Sequence, residues 1–173
     1  MDADPDELAG AVDLFGALTR EELCAVFADL AARAGDPFDA DALRASVDRA
    51  VEDYYLVELA DLDAVEEASE AGGAGSGPNG SGDESFFVAG PAALPALPAG
   101  GEDLPHLLDV GHRDVDPEAV ATAALSRLHG DAARAVNDGD DERVESLLDV
   151  CYELEAWAPV ETETLRGQLD AAR

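Results

Sequence analysis

The sequence contains no lysine, and its ten basic residues, all arginine, face 40 aspartates and glutamates for a formal charge of −30. Self-repulsion of this size destabilises a compact state in dilute buffer, but molar salt shortens the Debye length to about 3 Å and screens it. The net charge is −11 over residues 1–60, −10 over 61–112 and −9 over 113–173. This even spread indicates adaptation to a salt-rich cytoplasm. The alternative is a surface that mimics or repels nucleic acid.

Large and reactive side chains are scarce. Aromatic residues make up 5% of the chain, with one methionine and two cysteines. Cys24 and Cys151 lie on apolar faces of predicted helices and have no partner spacing, so we expect buried free thiols in a reducing cytosol.

Targeting and membrane signals are also missing from the sequence. The N-terminus, Met1-Asp2-Ala3-Asp4-Pro5, lacks the basic and apolar regions of a signal peptide. No apolar run approaches the 18 residues or so that a membrane helix needs, and an acidic surface disfavours anionic lipid. We therefore expect a cytoplasmic protein without a membrane contact.

Three helices are predicted in the first 55 residues. Apolar residues at helical spacing predict the first over 6–17. Thr19-Arg20-Glu21-Glu22 is a capping box that opens the second, which Gly35 ends. Phe38-Asp39-Ala40-Asp41 opens the third.

Two strands are predicted next, at Tyr54–Leu59 and Phe86–Ala89, because both are rich in aromatic and branched residues. Residues 61–70 between them are predicted to add a short acidic helix. Three helices followed by a β-hairpin is the order of a winged helix-turn-helix domain, which the chain resembles from Leu8 to about Leu94. We assign this winged-helix-like region to residues 1–95.

Two glycine- and proline-rich segments interrupt the predicted elements. Residues 72–82 hold six glycines and are predicted to form a disordered loop. The match of 75–80 to G-x-G-x-x-G lacks the flanking strand and helix of a dinucleotide site. Four prolines within 89–105 predict an extended surface path, and we assign 96–111 to a linker.

The remainder, 112–173, is predicted to be helical and to pack on the first region. Asp116-Pro117-Glu118 combines an N-cap with proline at the first helical position. Residues 137–140, Asn-Asp-Gly-Asp, end that helix and cap the next, which predicts an antiparallel helical hairpin. A last helix is predicted over about 162–172. Trp157 is expected to pack between the hairpin and the first region, or else to anchor an interface.

The predicted fold is therefore mainly α with a small β-hairpin, in the α+β class. Four stretches, at 13–23, 88–95, 102–106 and 147–159, resemble an uncharacterised family of acidic haloarchaeal proteins. The resemblance implies a halophilic protein. It implies no activity and assigns no site residues.

A winged helix usually contacts DNA through its third helix, where this chain offers Arg44 and Arg49. Five acids on the same helix oppose them, which is a poor footprint for phosphate contacts. Direct DNA binding by a transcriptional regulator is therefore the alternative. The same fold also serves in protein–protein contacts, and we favour that function.

A second candidate site combines carboxylates and imidazoles at every third position, namely Asp103, His106, Asp109 and His112. Such groups bind divalent metals, so a small metal-dependent enzyme is a second alternative, although the four cannot all face one ion on a helix. No serine or cysteine lies in a nucleophile context. We predict no catalytic residues and no cofactor. The favoured function is a non-enzymatic interaction or regulatory module whose partner is an unknown protein or a second copy.

Overall fold

The structure is a computed structural model that describes residues 3–60, 65–67, 85–104 and 110–172. It is mainly helical with a small antiparallel sheet, which confirms the predicted α+β class. The helices are α1 Pro5–Phe15, α2 Arg20–Ala34, α3 Ala40–Glu52, α4 Pro117–Asp138, α5 Asp141–Trp157 and α6 Glu163–Ala171. The strands are β1 Leu18–Thr19, β2 Leu56–Leu59, β3 Val65–Glu67, β4 Phe86–Ala89 and β5 Arg113–Val115.

Local capping explains most helix ends. The predicted capping box is present: Thr19 Oγ1 accepts from the Glu22 amide and Glu22 Oε2 accepts from the Thr19 amide. Gly35 and Gly139, both in the left-handed region, end α2 and α4 as predicted. Four other helices begin at an aspartate whose carboxylate accepts backbone N–H bonds: Asp4, Asp39, Asp116 and Asp140. Part of the acidic excess therefore serves the helix N-termini.

The main sheet has the strand order β1-β4-β2, with both pairs antiparallel. The predicted pairing of β2 with β4 is confirmed, with Val57 opposite Val88. The third strand, β1, pairs Leu18 with Phe87 and was not predicted, because two residues carry no alternation pattern.

The predicted acidic helix at 61–70 is wrong at residues 65–67. They form β3, which pairs antiparallel with β5. Hydrogen bonds to a distant strand override a weak local helix preference. The rest of that segment lies outside the described residues, as does the glycine-rich loop at 72–82.

Two apolar cores lie on either side of β2. The first is built by α1, α2 and α3 and includes Leu56; the second is built by α4, α5 and α6 and includes Val57 and Leu59. Cys151 is buried in the second core and Cys24 is half-buried, and both are free. Because one strand contributes to both cores, the two halves of the chain pack against each other.

The segment predicted as a linker, 96–111, is only partly a surface path. Its described part includes a 3₁₀ turn at Gly101–Asp103 and the side chain of Leu104, which is fully buried in the first core. The proline count favoured an extended segment but did not reveal this anchor. Within the described parts of the chain, no helix is long and apolar enough to cross a membrane.

Candidate interaction surface

The two arginines of the predicted DNA contact are engaged close to their own helix. Arg44 Nη1 lies 2.8 Å from Asp41 Oδ1. Arg49 Nε donates to the Ala45 carbonyl at 3.3 Å, and its Nη2 lies 3.5 Å from Ser46 Oγ. Neighbouring Arg20 is paired with Asp48 at 2.8 Å. Carboxylates therefore neutralise Arg44 and the neighbouring Arg20, whereas Arg49 bonds neutral groups of its own helix.

Arginine–carboxylate pairing extends through most of the described chain. Eight described arginines have a carboxylate oxygen within 4.0 Å: Arg20, Arg33, Arg44, Arg113, Arg127, Arg134, Arg143 and Arg166. With so few cations among 40 acids, such pairing leaves little free positive charge for phosphate contacts.

The predicted metal cluster is only half described. Asp103 lies in the 3₁₀ turn and His112 just before β5, whereas His106 and Asp109 lie outside the described residues. His112 Nε2 is 3.9 Å from Asp114 Oδ1, and both side chains are exposed. Among the residues that the structure describes, no three His, Cys, Asp or Glu side chains converge for a metal.

The buried Asp131 carboxylate on α4 is the centre of a polar cluster between the two halves. The Tyr54 hydroxyl donates to its Oδ2 at 2.7 Å, Arg127 Nε lies 3.3 Å from the same oxygen, and Arg134 Nη2 lies 2.6 Å from Oδ1. Arg143 adds a bond to the Glu52 carbonyl at the end of α3, at 2.7 Å. The cluster thus ties α3 to α4 and α5.

Tyr54 is suited to act as a permanent donor in this cluster. Burial raises the pKa of its phenol far above the usual range, and the adjacent Asp131 carboxylate adds to the effect. A cavity of about 480 Å³ beside the cluster is lined by three arginines and by four carboxylates, including Glu52 and Asp138. Since the charges largely cancel, this cavity favours neither an anion nor a cation.

An ion pair between the buried Arg113 and the half-buried Glu22 joins β5 to the start of α2. Two Arg113 nitrogens donate to the two Glu22 oxygens, each at 2.7 Å, and Nη1 also donates to the Ala17 carbonyl at 3.0 Å. Burial alone raises the pKa of Glu22, but hydrogen bonds from Arg113 and Thr19 outweigh it, so the pKa is lowered. Glu22 therefore serves both as a capping residue and as a cross-link.

Two exposed large apolar side chains lie on the segment 91–98, which we call the strip. Leu94 is 79% exposed and Leu97 is 52% exposed. No charged residue occurs between Glu84 and Glu102, so the strip lies within the longest uncharged run of the sequence. An apolar, uncharged surface on so acidic a chain is typical of an interaction site.

Backbone contacts to α1 hold the strip in place. The Leu94 amide donates to Asp6 Oδ1 at 2.8 Å, and the Ala96 amide donates to the Asp6 carbonyl at 3.0 Å. Gly10 makes this approach possible, since a Cβ there would lie 2.1 Å from the Ala96 carbonyl oxygen. The two leucines are thus presented on an anchored backbone, which lowers the entropy lost on binding.

A second apolar surface lies where α5 ends beside the start of α4. A groove of about 520 Å³, which we call the Trp157 groove, is lined mostly by Trp157, Pro117, Pro159, Val160, Ala121 and Thr122. Trp157 is 40% exposed, so it lines this groove and is not enclosed between the hairpin and the first region. Glu118 is the one carboxylate among the residues that line the groove.

Sequence patterns missed both surfaces for different reasons. The prolines of the strip were interpreted as a linker, although the absence of charge from Glu84 to Glu102 was a usable signal. The Trp157 groove joins residues about 40 positions apart in the sequence, so it depends on how α4 packs against the end of α5.

Comparison with known proteins supports a family assignment. No curated protein and no solved structure matches the chain. Residues 6–173 match a family of unknown function, DUF7109. The match spans the first region, the strip and the helical region alike, and the chain therefore belongs to the DUF7109 family.

Proposed function

We propose that the protein is a non-enzymatic protein-interaction module of a salt-rich cytoplasm, in which the strip is the recognition surface. The observation that carries the proposal is the exposure of Leu94 and Leu97 on a backbone anchored to α1. An anchored backbone favours partner binding because the strip loses little backbone freedom when it binds.

The salt-rich setting is part of this proposal and is supported by the even distribution of charge. With a formal charge of −30, the carboxylates of the surface would repel one another strongly in dilute buffer. Molar salt would screen that repulsion and strengthen apolar contacts, since excluded salts favour burial.

A capture experiment in molar KCl tests the proposal. Immobilised wild-type protein is compared with Leu94→Ser/Leu97→Ser, and the captured proteins are quantified by mass spectrometry. Val136→Ser is the matched control, because Val136 is also exposed but lies near the end of α4. We expect the double variant to lose partners that the wild type and the control retain. Identical capture by all three proteins would contradict an interaction function for the strip.

A second candidate is DNA binding by a winged-helix domain. The order α1-β1-α2-α3-β2-β4 with sheet order β1-β4-β2 supports this fold for the first region. The pairing of Arg44 with Asp41 and of Arg20 with Asp48 opposes a phosphate contact there.

A fluorescence-anisotropy titration with duplex DNA in molar KCl decides between the two candidates. We expect only non-specific background. Sub-micromolar, sequence-dependent affinity that is lost in Arg44→Glu/Arg49→Glu, with the fold retained, would make DNA binding the better assignment.

A further inference from the structure

Two apolar surfaces of this chain face solvent at the same time: the strip, which has no charged residue, and the Trp157 groove, which has Glu118 alone. Leu94, Leu97 and Trp157 are all among the exposed large hydrophobic residues. Within one molecule, therefore, the strip does not fill the groove. We propose that the strip of one copy docks into the Trp157 groove of a second copy. This inference rests on the proposed function and names the partner as the chain itself.

The chemistry of the two surfaces is complementary. Leu94 and Leu97 are both exposed on a segment without helix or strand that also holds Pro91, Pro95 and Pro98. Grooves lined by aromatic side chains are the usual receptors for such segments. The Trp157 groove offers an indole, Pro117 and Pro159 as walls, in a volume of about 520 Å³.

Charge favours these two surfaces as the place where two copies of the chain can meet. Two chains of −30 repel wherever carboxylates face carboxylates. The strip carries no charge and the groove has Glu118 alone, so their contact brings few carboxylates together. Molar salt both screens the remaining repulsion and favours apolar burial. Self-association therefore strengthens with KCl, and a reciprocal exchange of strips closes it as a two-fold dimer.

The single tryptophan of the chain makes this contact directly observable. Trp157 emission and sedimentation velocity are followed across protein concentration in molar KCl. We expect a blue shift of the emission, because the indole becomes buried, together with a mass that rises from monomer to dimer. Both changes should shift to higher protein concentration as KCl is lowered within the range in which circular dichroism shows a folded chain.

Two variants remove one side of the contact each. Leu94→Ser/Leu97→Ser deletes the apolar anchors, and Thr122→Arg fills the groove from an exposed position of α4. Each should weaken self-association at least about tenfold. Val136→Ser and Thr122→Ser are the matched controls and should leave it unchanged. Thermal melts establish that all four variants fold.

The outcomes separate this inference from the proposed function. A monomer with concentration-independent Trp157 emission overturns the inference, as does association that persists in both Leu94→Ser/Leu97→Ser and Thr122→Arg. If the wild type is a monomer but captures other proteins through Leu94 and Leu97, the interaction function stands and the partner is a different chain. If neither self-association nor capture depends on these leucines, both proposals fail.

Discussion

Tyr54 combines an unfavourable backbone with a buried polar side chain. Its φ of +64° is the one positive value among the non-glycine residues of the described chain. A bulky residue in this region carries strain of about 1–3 kcal/mol, which persists only when surrounding contacts impose it. The ring is buried in the second core, its hydroxyl donates to Asp131, and the Arg127 guanidinium lies 5.3 Å from the ring centroid. These contacts between the halves of the chain offset the strain.

Tyr54→Phe tests this account because it removes the hydroxyl and keeps the ring. The Asp131 carboxylate then loses a buried donor, so we expect a loss of about 1–3 kcal/mol in the free energy of unfolding. Chemical denaturation in molar KCl measures it. Tyr55→Phe, at the half-buried neighbour, is the control and should change stability by less than about 0.5 kcal/mol. Equal stability of Tyr54→Phe and wild type would contradict a stabilising cross-link.

Glu22 provides a prediction on pH. Its pKa in the folded protein lies below the ordinary value of 4.5 because Arg113 and Thr19 bond the carboxylate, although burial acts in the opposite direction. A lowered pKa means that the folded state holds the proton less tightly than the unfolded state. The resulting stability is present above pH 4.5 and is lost as the pH falls through the lower folded value.

Glu22→Gln should therefore lower the free energy of unfolding by about 1.5–3 kcal/mol at neutral pH, as expected when hydrogen bonds to a charged group are lost. The difference from wild type should shrink as the pH falls below 4.5. Denaturation curves of both proteins, recorded across pH at one KCl concentration, measure the difference in their free energies of unfolding. The other acids titrate in both proteins, so their contribution cancels in this difference. A difference that stays constant down to acid unfolding would show that the Glu22 charge contributes nothing.

At the scale of elements, the position of the strip depends on one face of α1. The strip backbone passes so close to this helix that Gly10 leaves no room for a side chain. Glycine in a helix interior is normally unfavourable by about 1 kcal/mol relative to alanine. That α1 carries it at the contact with Ala96 indicates that close packing outweighs helix propensity there.

A matched pair of glycine-to-alanine substitutions separates these effects. A Cβ added at Gly130 on α4 meets open space apart from an Arg134 nitrogen at 3.8 Å. We therefore expect Gly130→Ala to raise the free energy of unfolding by about 0.5–1 kcal/mol. Gly10→Ala must displace the strip, and this overpacking should lower the free energy of unfolding by about 1–3 kcal/mol. Thermal melts in molar KCl compare the two. A gain in both variants would mean that the strip is not packed on α1 as described.

At the scale of the whole molecule, charge and core composition both link stability to salt. The formal charge of −30 is spread evenly along the chain, and the two cores contain many small alanine side chains beside the larger residues. Each small side chain buries less apolar area, and each Å² of buried apolar area stabilises the fold by about 25 cal/mol. Screening and salt-strengthened burial therefore act in the same direction.

We expect the thermal midpoint to fall steadily as KCl is lowered from molar to millimolar concentration. Melts followed by circular dichroism measure it. Parallel melts in isomolar sucrose, an excluded osmolyte without charge, separate burial from screening. A midpoint that does not change with KCl would contradict salt adaptation as the reason for the acidic composition.

The sequence by itself determined the even spread of acidic charge, the α+β class and most element positions. The capping box at Thr19, the aspartate caps at Asp39, Asp116 and Asp140, and the helix stop at Gly139 all follow from hydrogen bonds within a few residues. The pairing of β2 with β4 was predictable as well, because composition marked both strands.

Tertiary structure alone decided the features that join distant residues. Four features connect positions from 46 to 91 residues apart: the pairing of β1 with β4, the pairing of β3 with β5, and the pairs Tyr54–Asp131 and Glu22–Arg113. Any of the 40 carboxylates was a plausible partner for each arginine, so sequence could not choose among them. Exposure of Leu94 and Trp157 likewise depended on packing, because apolar residues are normally assigned to a core. Helix caps and helix stops depend on residues within about one helical turn of each other. The contacts between distant residues depend instead on which surfaces meet when the chain folds.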